Sequence, residues 1–76
     1  MKTPFEWDED KAKENLRKHK LSFDEAATVF SDPLSVTIPD PEHSTGEQRY
    51  VDIGTSDRNR VLVVVYTERG KTIRLI

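Results

Sequence analysis

The segment 60–66, Arg-Val-Leu-Val-Val-Val-Tyr, constrains the fold most, because it is apolar on both faces of an extended chain. The side chains that point to opposite faces are Val61, Val63 and Val65 on one and Leu62, Val64 and Tyr66 on the other. β-Branched and aromatic residues favour strands, and a short uninterrupted apolar run is typical of a strand inside a sheet. We therefore predict a central strand here, flanked by segments 48–54 and 71–76, with a pair of helices covering one face.

Length and composition limit the class of protein. The chain has 76 residues and no cysteine, so we expect a single domain over residues 1–76 with a small core and no disulfide or thiolate metal site. No apolar stretch approaches the roughly 20 residues of a membrane span, and the first residues lack the hydrophobic segment of a signal peptide. These features predict a cytoplasmic protein that makes no membrane contact.

The charge is segregated along the chain, although its net value is only -2. Residues 11–20 and 58–76 are basic, whereas residues 21–57 contain Arg49 against eight acids. Such blocks are compatible with a phosphate-bearing ligand on one surface and a basic partner on another, and equally with a solvated helix face and a solvated sheet edge.

Two helices are predicted in the first half of the chain. Asp8 can act as the N-cap of a polar helix from Glu9 to about His19. Ser22, followed by Glu25 three residues later, has the pattern of a capping box and begins a second helix. The apolar face of this second helix consists of Phe23, Ala26, Ala27 and Phe30.

The second half of the chain alternates with the period of strands. Strands are predicted over residues 34–38, 49–53, 60–66 and 72–76, with a long loop rich in Pro and Gly over residues 39–46. The links between them are too short for a crossover helix, so the strands are antiparallel. The predicted fold class is α+β: two N-terminal helices on a four-stranded antiparallel meander, or a five-stranded one if residues 5–7 add an edge strand.

The residues as a set resemble the BrnT-type toxins over nearly the whole chain. In the first half the matching positions are residues 5–8, Lys11, Asn15, Lys18, His19, residues 22–26, Val29, Phe30, Asp32 and Pro33. In the second half they are Asp40, His43, Glu47, Arg49, Ile53, Gly54, Ser56, residues 60–64, Thr67, Arg69 and residues 73–76.

This resemblance implies a RelE-like ribonuclease toxin fold and a type II toxin-antitoxin system. It also implies a BrnA-like ribbon-helix-helix antitoxin that neutralises the toxin, with the complex repressing its own operon. The assemblies to expect are a homodimer or a toxin-antitoxin heterotetramer. Family members usually continue past the last strand with a Ser-Ala-Arg segment and a further helix, and the sequence lacks both, so a catalytic arginine or antitoxin contact carried there would be missing.

Candidate catalytic residues are Glu47, Arg49, Arg69 and Arg74. Glu47 and Arg49 share a face if the strand already begins at Glu47, and the three arginines can converge on a phosphate, which the planar guanidinium binds in bidentate fashion. The alternatives are an exposed pair of Glu47 with Arg49, and cross-strand pairing of Arg69 and Arg74 with acids such as Glu68 or Asp52.

His19 is a further candidate for proton transfer, although the end of its helix equally suits a capping histidine. Lys11, Lys18 and His43 are candidate RNA contacts, or else solvated side chains. His19 and His43 have no recognised metal-ligand spacing with the acids of the loop, so we predict neither a metal nor another cofactor.

The sequence therefore predicts an endoribonuclease that cleaves RNA without a metal. The rival hypothesis is a catalytically inactive module that binds the antitoxin and acts as a transcriptional co-repressor, which the acidic net charge and the absent C-terminal segment favour. A third possibility is self-association through the last strand, whose Ile73 and Leu75 would pair across an open sheet edge.

Overall fold

The computed structural model describes residues 4–41 and 46–76, in which a short strand precedes the helices and the other strands follow them. The elements are β1 (Phe5–Glu6), α1 (Glu9–His19), α2 (Phe23–Ala27), a 3₁₀ helix (Thr28–Ser31), β2 (Val36–Pro39), β3 (Arg49–Thr55), β4 (Val61–Arg69) and β5 (Thr72–Leu75). The predicted α+β class is confirmed. The predicted turn after Tyr66 comes later, because β4 continues to Arg69.

The sheet has five strands in the order β1-β5-β4-β3-β2, so the valine-rich β4 is central, as predicted. Strands β2 to β5 form the expected antiparallel meander. β1 instead runs parallel to β5, with Phe5 beside Ile73 and Glu6 beside Arg74. The sheet is therefore mixed, and the expectation of a wholly antiparallel sheet is wrong for β1. Because β1 covers β5 at Ile73, the open edge proposed for self-association is closed there.

Both helices begin at the predicted caps. Asp8 Oδ1 accepts hydrogen bonds from the backbone N–H groups of Asp10, at 2.8 Å, and Lys11, at 3.2 Å. Ser22 Oγ accepts one from the backbone N–H of Glu25 at 3.1 Å. The predicted capping box is only half formed, because the Glu25 carboxylate binds Ser56 and Arg60 instead. No helix among the described residues is long and apolar enough to cross a membrane.

The core lies between the sheet and the α2 and 3₁₀ segment. Its buried apolar side chains are Phe23, Ala26, Val29, Val64, Tyr66 and Leu75. Phe30 meets Tyr66 edge to face, with ring centroids 4.9 Å apart, and Tyr50 stacks on Tyr66 at 5.4 Å. Tyr66 is thus a core residue, as expected.

α1 contributes little to this core, and none of its residues is buried. Ala12 packs against the core, whereas Leu16, one turn later on the same side of the helix, is 51% exposed. Asn15 ties the helix to the following segment, since its Nδ2 donates to the carbonyl oxygen of Leu21 at 2.9 Å. The polar sequence of α1 therefore corresponds to a helix that lies at the margin of the helix layer.

The opposite face of the sheet, which we call the open face, carries the other set of β4 side chains. Val61 and Val63 are 75% and 64% exposed there. Cross-strand partners point to the same side of a sheet, so the open face continues through Ile53 on β3 and Val36 on β2. It is apolar around the first half of β4.

Candidate active site

The open face changes from apolar to polar toward the end of β4, where β3, β5 and β1 pair with it. Thr67 is paired with Arg49 on one side and Arg74 on the other, and Arg74 with Glu6. All four side chains therefore lie on one face. Arg69 belongs to the same face because it lies two residues after Thr67. We call the set of Glu6, Glu47, Arg49, Thr67, Arg69 and Arg74 the polar cluster.

Glu47 joins the polar cluster through a bidentate ion pair. Arg69 Nε donates to Glu47 Oε2 and Arg69 Nη2 donates to Glu47 Oε1, each at 3.1 Å. The hydrogen bonds from Arg69 lower the pKa of Glu47, and the charge of Arg74 and the hydroxyl of Thr67 act in the same direction. Glu47 in turn raises the pKa of Arg69. Both groups are therefore ionised at neutral pH.

A second ion pair lies at the edge of the polar cluster. Arg74 Nη1 donates to Glu6 Oε2 at 3.2 Å, and the Arg74 side chain is 29% exposed. The cluster thus combines three guanidinium groups with two carboxylates. Such a surface can hold an anion with more than one charged oxygen.

Thr67 forms the floor of the polar cluster. It is only 1% exposed, and its hydroxyl makes no hydrogen bond of standard geometry to any described residue. A buried hydroxyl that lacks a full hydrogen bond is costly, so such groups in native proteins call for an explanation.

A separate set of polar side chains, Glu25, Ser56 and Arg60, lies at the opposite end of β4. Arg60 Nε donates to Glu25 Oε2 at 2.9 Å, Arg60 Nη2 donates to Glu25 Oε1, and Ser56 Oγ donates to Glu25 Oε2 at 2.6 Å. Arg60 lowers the pKa of Glu25 to about 2. Nine residues of extended chain, about 30 Å, separate Arg60 from Arg69. This ion pair, in which Glu25 is buried and Arg60 is 44% exposed, therefore holds α2 onto the β3–β4 turn, far from the polar cluster.

The fold and the polar cluster can now be compared with known protein families. A profile of the family described as "Ribonuclease toxin, BrnT, of type II toxin-antitoxin system" matches residues 7–76. The chain belongs to this family. No curated protein is significantly similar to it. The resemblance inferred from the sequence is thereby confirmed, and the family implies an antitoxin as partner.

Four of the residues predicted for the ribonuclease site of this BrnT family member come together: Glu47, Arg49, Arg69 and Arg74. The ion pairs differ from the alternatives considered, because Arg69 pairs with Glu47 and Arg74 pairs with Glu6 rather than with Glu68 or Asp52. Asp52 is buried and accepts a 3.4 Å hydrogen bond from the Thr37 hydroxyl.

The other predicted residues lie elsewhere. Lys11, Lys18 and His19 are exposed on α1, in the helix layer and thus away from the open face, and Lys18 pairs with Glu14 at 3.2 Å. His43 lies outside the described residues. The roles assigned to these four side chains stay predictions.

Two members of the polar cluster were not selected from the sequence. Thr67 carries the alternation of β4 one step beyond Val65, so the period of the strand already placed it on the face of the arginines. Glu6 could not be found in this way, because nothing local indicates that β1 pairs with β5. Within residues 4–41 and 46–76, no three His, Asp or Glu side chains are arranged to hold a metal.

Proposed function

We propose that the chain is an endoribonuclease toxin of RelE-like architecture, with the polar cluster as its active site. One observation carries this proposal: in a member of a ribonuclease toxin family, Arg49, Arg69 and Arg74 share one face of the sheet with Glu47. Fixed cationic donors of this kind stabilise the charge that develops on a phosphate during cleavage, which is often the largest catalytic contribution.

The proposed reaction is attack of the ribose 2′-oxygen on the adjacent phosphorus. A base takes the 2′-hydroxyl proton, the new bond from the 2′-oxygen to phosphorus forms, and the bond from phosphorus to the 5′-oxygen breaks. An acid protonates the departing 5′-oxygen, so the products are a 2′,3′-cyclic phosphate and a 5′-hydroxyl. The chemistry needs no metal, because guanidinium groups can neutralise the pentacovalent intermediate.

In this proposal Arg49, Arg69 and Arg74 clamp the phosphate, and Glu47 transfers protons, because His19 lies on α1, away from the open face. A positioned acid or base contributes roughly 10²–10⁴-fold to the rate. Glu47 is favoured over His19 by its contact with Arg69. Lys11, Lys18 and His43 are proposed to contact the RNA backbone beyond the cleaved bond.

Cleavage of a labelled RNA by the purified protein tests the proposal. Arg69→Ala should slow cleavage by about 10²-fold or more, because it removes a donor from the developing charge. Arg17→Ala is the matched control, since Arg17 also pairs with a glutamate, Glu14, but on exposed α1. Its activity should stay within about twofold of the wild type, as expected for a surface ion pair. Equal activity of wild type and Arg69→Ala would overturn the assignment of the site.

The partner is proposed to be a ribbon-helix-helix antitoxin. The open face supports a protein partner of some kind, because it exposes contiguous apolar side chains such as Val61 and Val63 that a soluble protein rarely leaves uncovered. Co-expression with the product of the neighbouring reading frame should give a stable complex and restore growth. Separate elution of the two proteins would contradict this assignment.

A non-catalytic co-repressor is the second candidate function. It is favoured by the ion pairs themselves, because Glu47 and Glu6 already bind Arg69 and Arg74. Expression without the antitoxin separates the two functions. A ribonuclease toxin arrests growth, and Arg69→Ala relieves the arrest, whereas a co-repressor leaves growth unchanged in both cases.

A further inference from the structure

The Glu47 carboxylate is surrounded by the donors that a bound phosphate would need. Arg69 binds both of its oxygens, and Arg74 and Thr67 also stabilise its charged form. Carboxylates and phosphates accept the same pair of parallel N–H donors from a guanidinium group. The carboxylate therefore lies where an anionic ligand of the polar cluster would lie.

Glu47 can leave this position at small cost. It precedes β3, which begins at Arg49, so no strand pairing holds its backbone. Its side chain is 40% exposed and that of Arg69 is 50% exposed, and exposed ion pairs contribute little to stability. The residue before it, Gly46, has no atom within 4 Å of the position that a Cβ would take.

Glu6 differs from Glu47 in how its backbone is held, although its side chain is similarly exposed, at 42%. It is part of β1 and is paired in register with Arg74, so its carboxylate is held beside that arginine by the sheet. Of the two carboxylates in the polar cluster, Glu47 is thus the one that a ligand can replace.

The floor of the polar cluster supplies a second and independent observation. The Thr67 hydroxyl is buried there without a hydrogen bond of standard geometry among the described residues. The Glu47 carboxylate lies near enough for this hydroxyl to help stabilise its charge, but the contact does not reach the geometry of a full hydrogen bond. A phosphodiester with two non-bridging oxygens, seated on the same arginine, would approach the hydroxyl and satisfy it.

We propose that the Glu47 carboxylate occupies the phosphate-binding position of the polar cluster, and that an RNA phosphodiester binds by replacing it on Arg69. This inference rests on the proposed function, because it names how the substrate enters that site. Replacement also leaves the carboxylate free beside the bound phosphate, where it is available to take the 2′-hydroxyl proton.

Binding of an RNA oligonucleotide with 2′-O-methyl riboses tests the proposal, since this probe cannot be cleaved by its own 2′-oxygen. Fluorescence anisotropy at constant salt would give the dissociation constants. Glu47→Gln should bind about 3–10-fold more tightly than the wild type, because the internal competitor is weakened. Glu14→Gln is the matched control: Glu14 is likewise ion-paired to an arginine, Arg17, and the change in net charge is the same. The change also releases Lys18, a proposed RNA contact, but both pairs of Glu14 are exposed, so the affinity should rise by less than about twofold.

A double variant shows whether the gain arises at Arg69. In the Arg69→Gln background, Glu47→Gln should improve affinity no more than Glu14→Gln does, because there is no longer a guanidinium group to release. Glu47→Asp keeps the charge on a side chain shorter by one methylene, and we expect its affinity to lie between those of wild type and Glu47→Gln. Thermal unfolding of each variant confirms that it is folded.

The outcomes separate this inference from the proposed function. If Glu47→Gln binds no more tightly than Glu14→Gln, or if its gain in affinity persists without Arg69, the phosphate does not replace Glu47 on Arg69, even where the wild type cleaves RNA. If the gain in affinity appears but no protein cleaves unmodified RNA, the proposed replacement of Glu47 stands and the ribonuclease proposal fails. Absence of binding by every variant would overturn both.

Discussion

Glu25 and Arg60 join α2 to the start of β4 through a bidentate ion pair in which the carboxylate is buried and the guanidinium is partly exposed. The Glu25 side chain is 5% exposed, and the Ser56 hydroxyl donates a further hydrogen bond to it at 2.6 Å. The backbone carbonyl oxygen of Ser56 accepts a hydrogen bond from the backbone N–H of Asn59 at 2.9 Å, within the turn that connects β3 and β4. One carboxylate therefore determines how the helix layer meets the central hairpin.

Glu25→Gln should destabilise the fold strongly, because it leaves the Arg60 guanidinium partly buried without a charged partner. We expect the Tm to fall by about 5–15 °C for a domain of this size. Glu14→Gln removes an exposed ion-paired carboxylate instead, and should change the Tm by no more than about 3 °C. Thermal unfolding followed by circular dichroism measures both. Equal shifts in the two variants would show that the Glu25 pair is no stronger than a surface pair.

The same carboxylate should make stability depend on pH below its ordinary pKa. The folded protein holds the pKa of Glu25 at about 2, below its usual 4.5, chiefly through Arg60. A lowered acid pKa contributes stability that is complete above the unfolded pKa and is lost as the pH falls toward the folded one. The difference in Tm between wild type and Glu25→Gln should therefore be constant near neutral pH, narrow below pH 4.5, and close near pH 2. A difference that does not change with pH would contradict the assigned charge pairing. Glu14, Asp32 and Glu47, whose pKa values are also lowered, are present in both proteins and so cancel from the comparison.

Much of this architecture is predictable from local patterns. The alternation of β4, the Asp8 and Ser22 caps and the short strand connections fix the helices, the meander and the central strand. β1 differs from the predicted antiparallel sheet because it pairs with β5, from the other end of the chain. No short connection therefore fixes its direction. Glu25 differs from its prediction for a similar reason: its spacing from Ser22 indicates a capping box, but Arg60, from a distant turn, binds the carboxylate instead.

Some features of the candidate site are likewise predictable from local patterns, and others are not. Alternation places Arg49, Arg69 and Arg74 on one face, so their convergence is predictable. Which glutamate neutralises which arginine depends on strand neighbours and register, and this tertiary information is absent from any short segment. The sequence therefore indicates a phosphate clamp but does not show that Glu47 occupies it.

Two neighbouring valines of β4 test which face of the sheet is covered. Val64 is 5% exposed and packs in the core, whereas Val63 is 64% exposed on the open face. Val64→Ala should lower the free energy of unfolding by about 2 kcal/mol, through lost burial and the cavity left behind. Val63→Ala, with the same chemistry on the same strand, should cost only about 0.5 kcal/mol. Urea unfolding measures both, and a cost for Val63→Ala equal to that of Val64→Ala would show that the open face is covered in solution.

Gly54 tests the contact between β3 and the 3₁₀ helix. An added Cβ would lie 2.8 Å from Ser35 Cβ, 2.9 Å from Val29 Cγ1 and 3.1 Å from Asp32 Oδ2. That Asp32 oxygen accepts the Thr55 backbone N–H at 2.8 Å, so displacing it disturbs the end of β3. Gly54→Ala should cost about 1–3 kcal/mol through overpacking.

Gly70→Ala provides the comparison for a glycine without such neighbours. Its Cβ would meet no atom within 4 Å, but its φ of +61° is unfavourable for alanine, at a cost of about 1 kcal/mol. The two glycines thus separate steric crowding from backbone strain. A Gly54→Ala protein as stable as the wild type in urea would contradict the close packing at that position.

Thr67→Val should weaken RNA binding without destabilising the fold. Valine has the shape of threonine but no hydroxyl, so it removes a buried donor that lacks a standard hydrogen bond. The free energy of unfolding should stay the same or rise by up to about 1 kcal/mol. Affinity for the 2′-O-methyl RNA should fall, because the phosphate loses a donor at the floor of the polar cluster. Thr67→Ser is the control with the reverse pattern: it keeps the donor and removes one buried methyl group, so it should retain affinity while losing about 1 kcal/mol of stability. If Thr67→Val is instead destabilised while binding RNA as tightly as the wild type, the hydroxyl serves the fold and not the ligand.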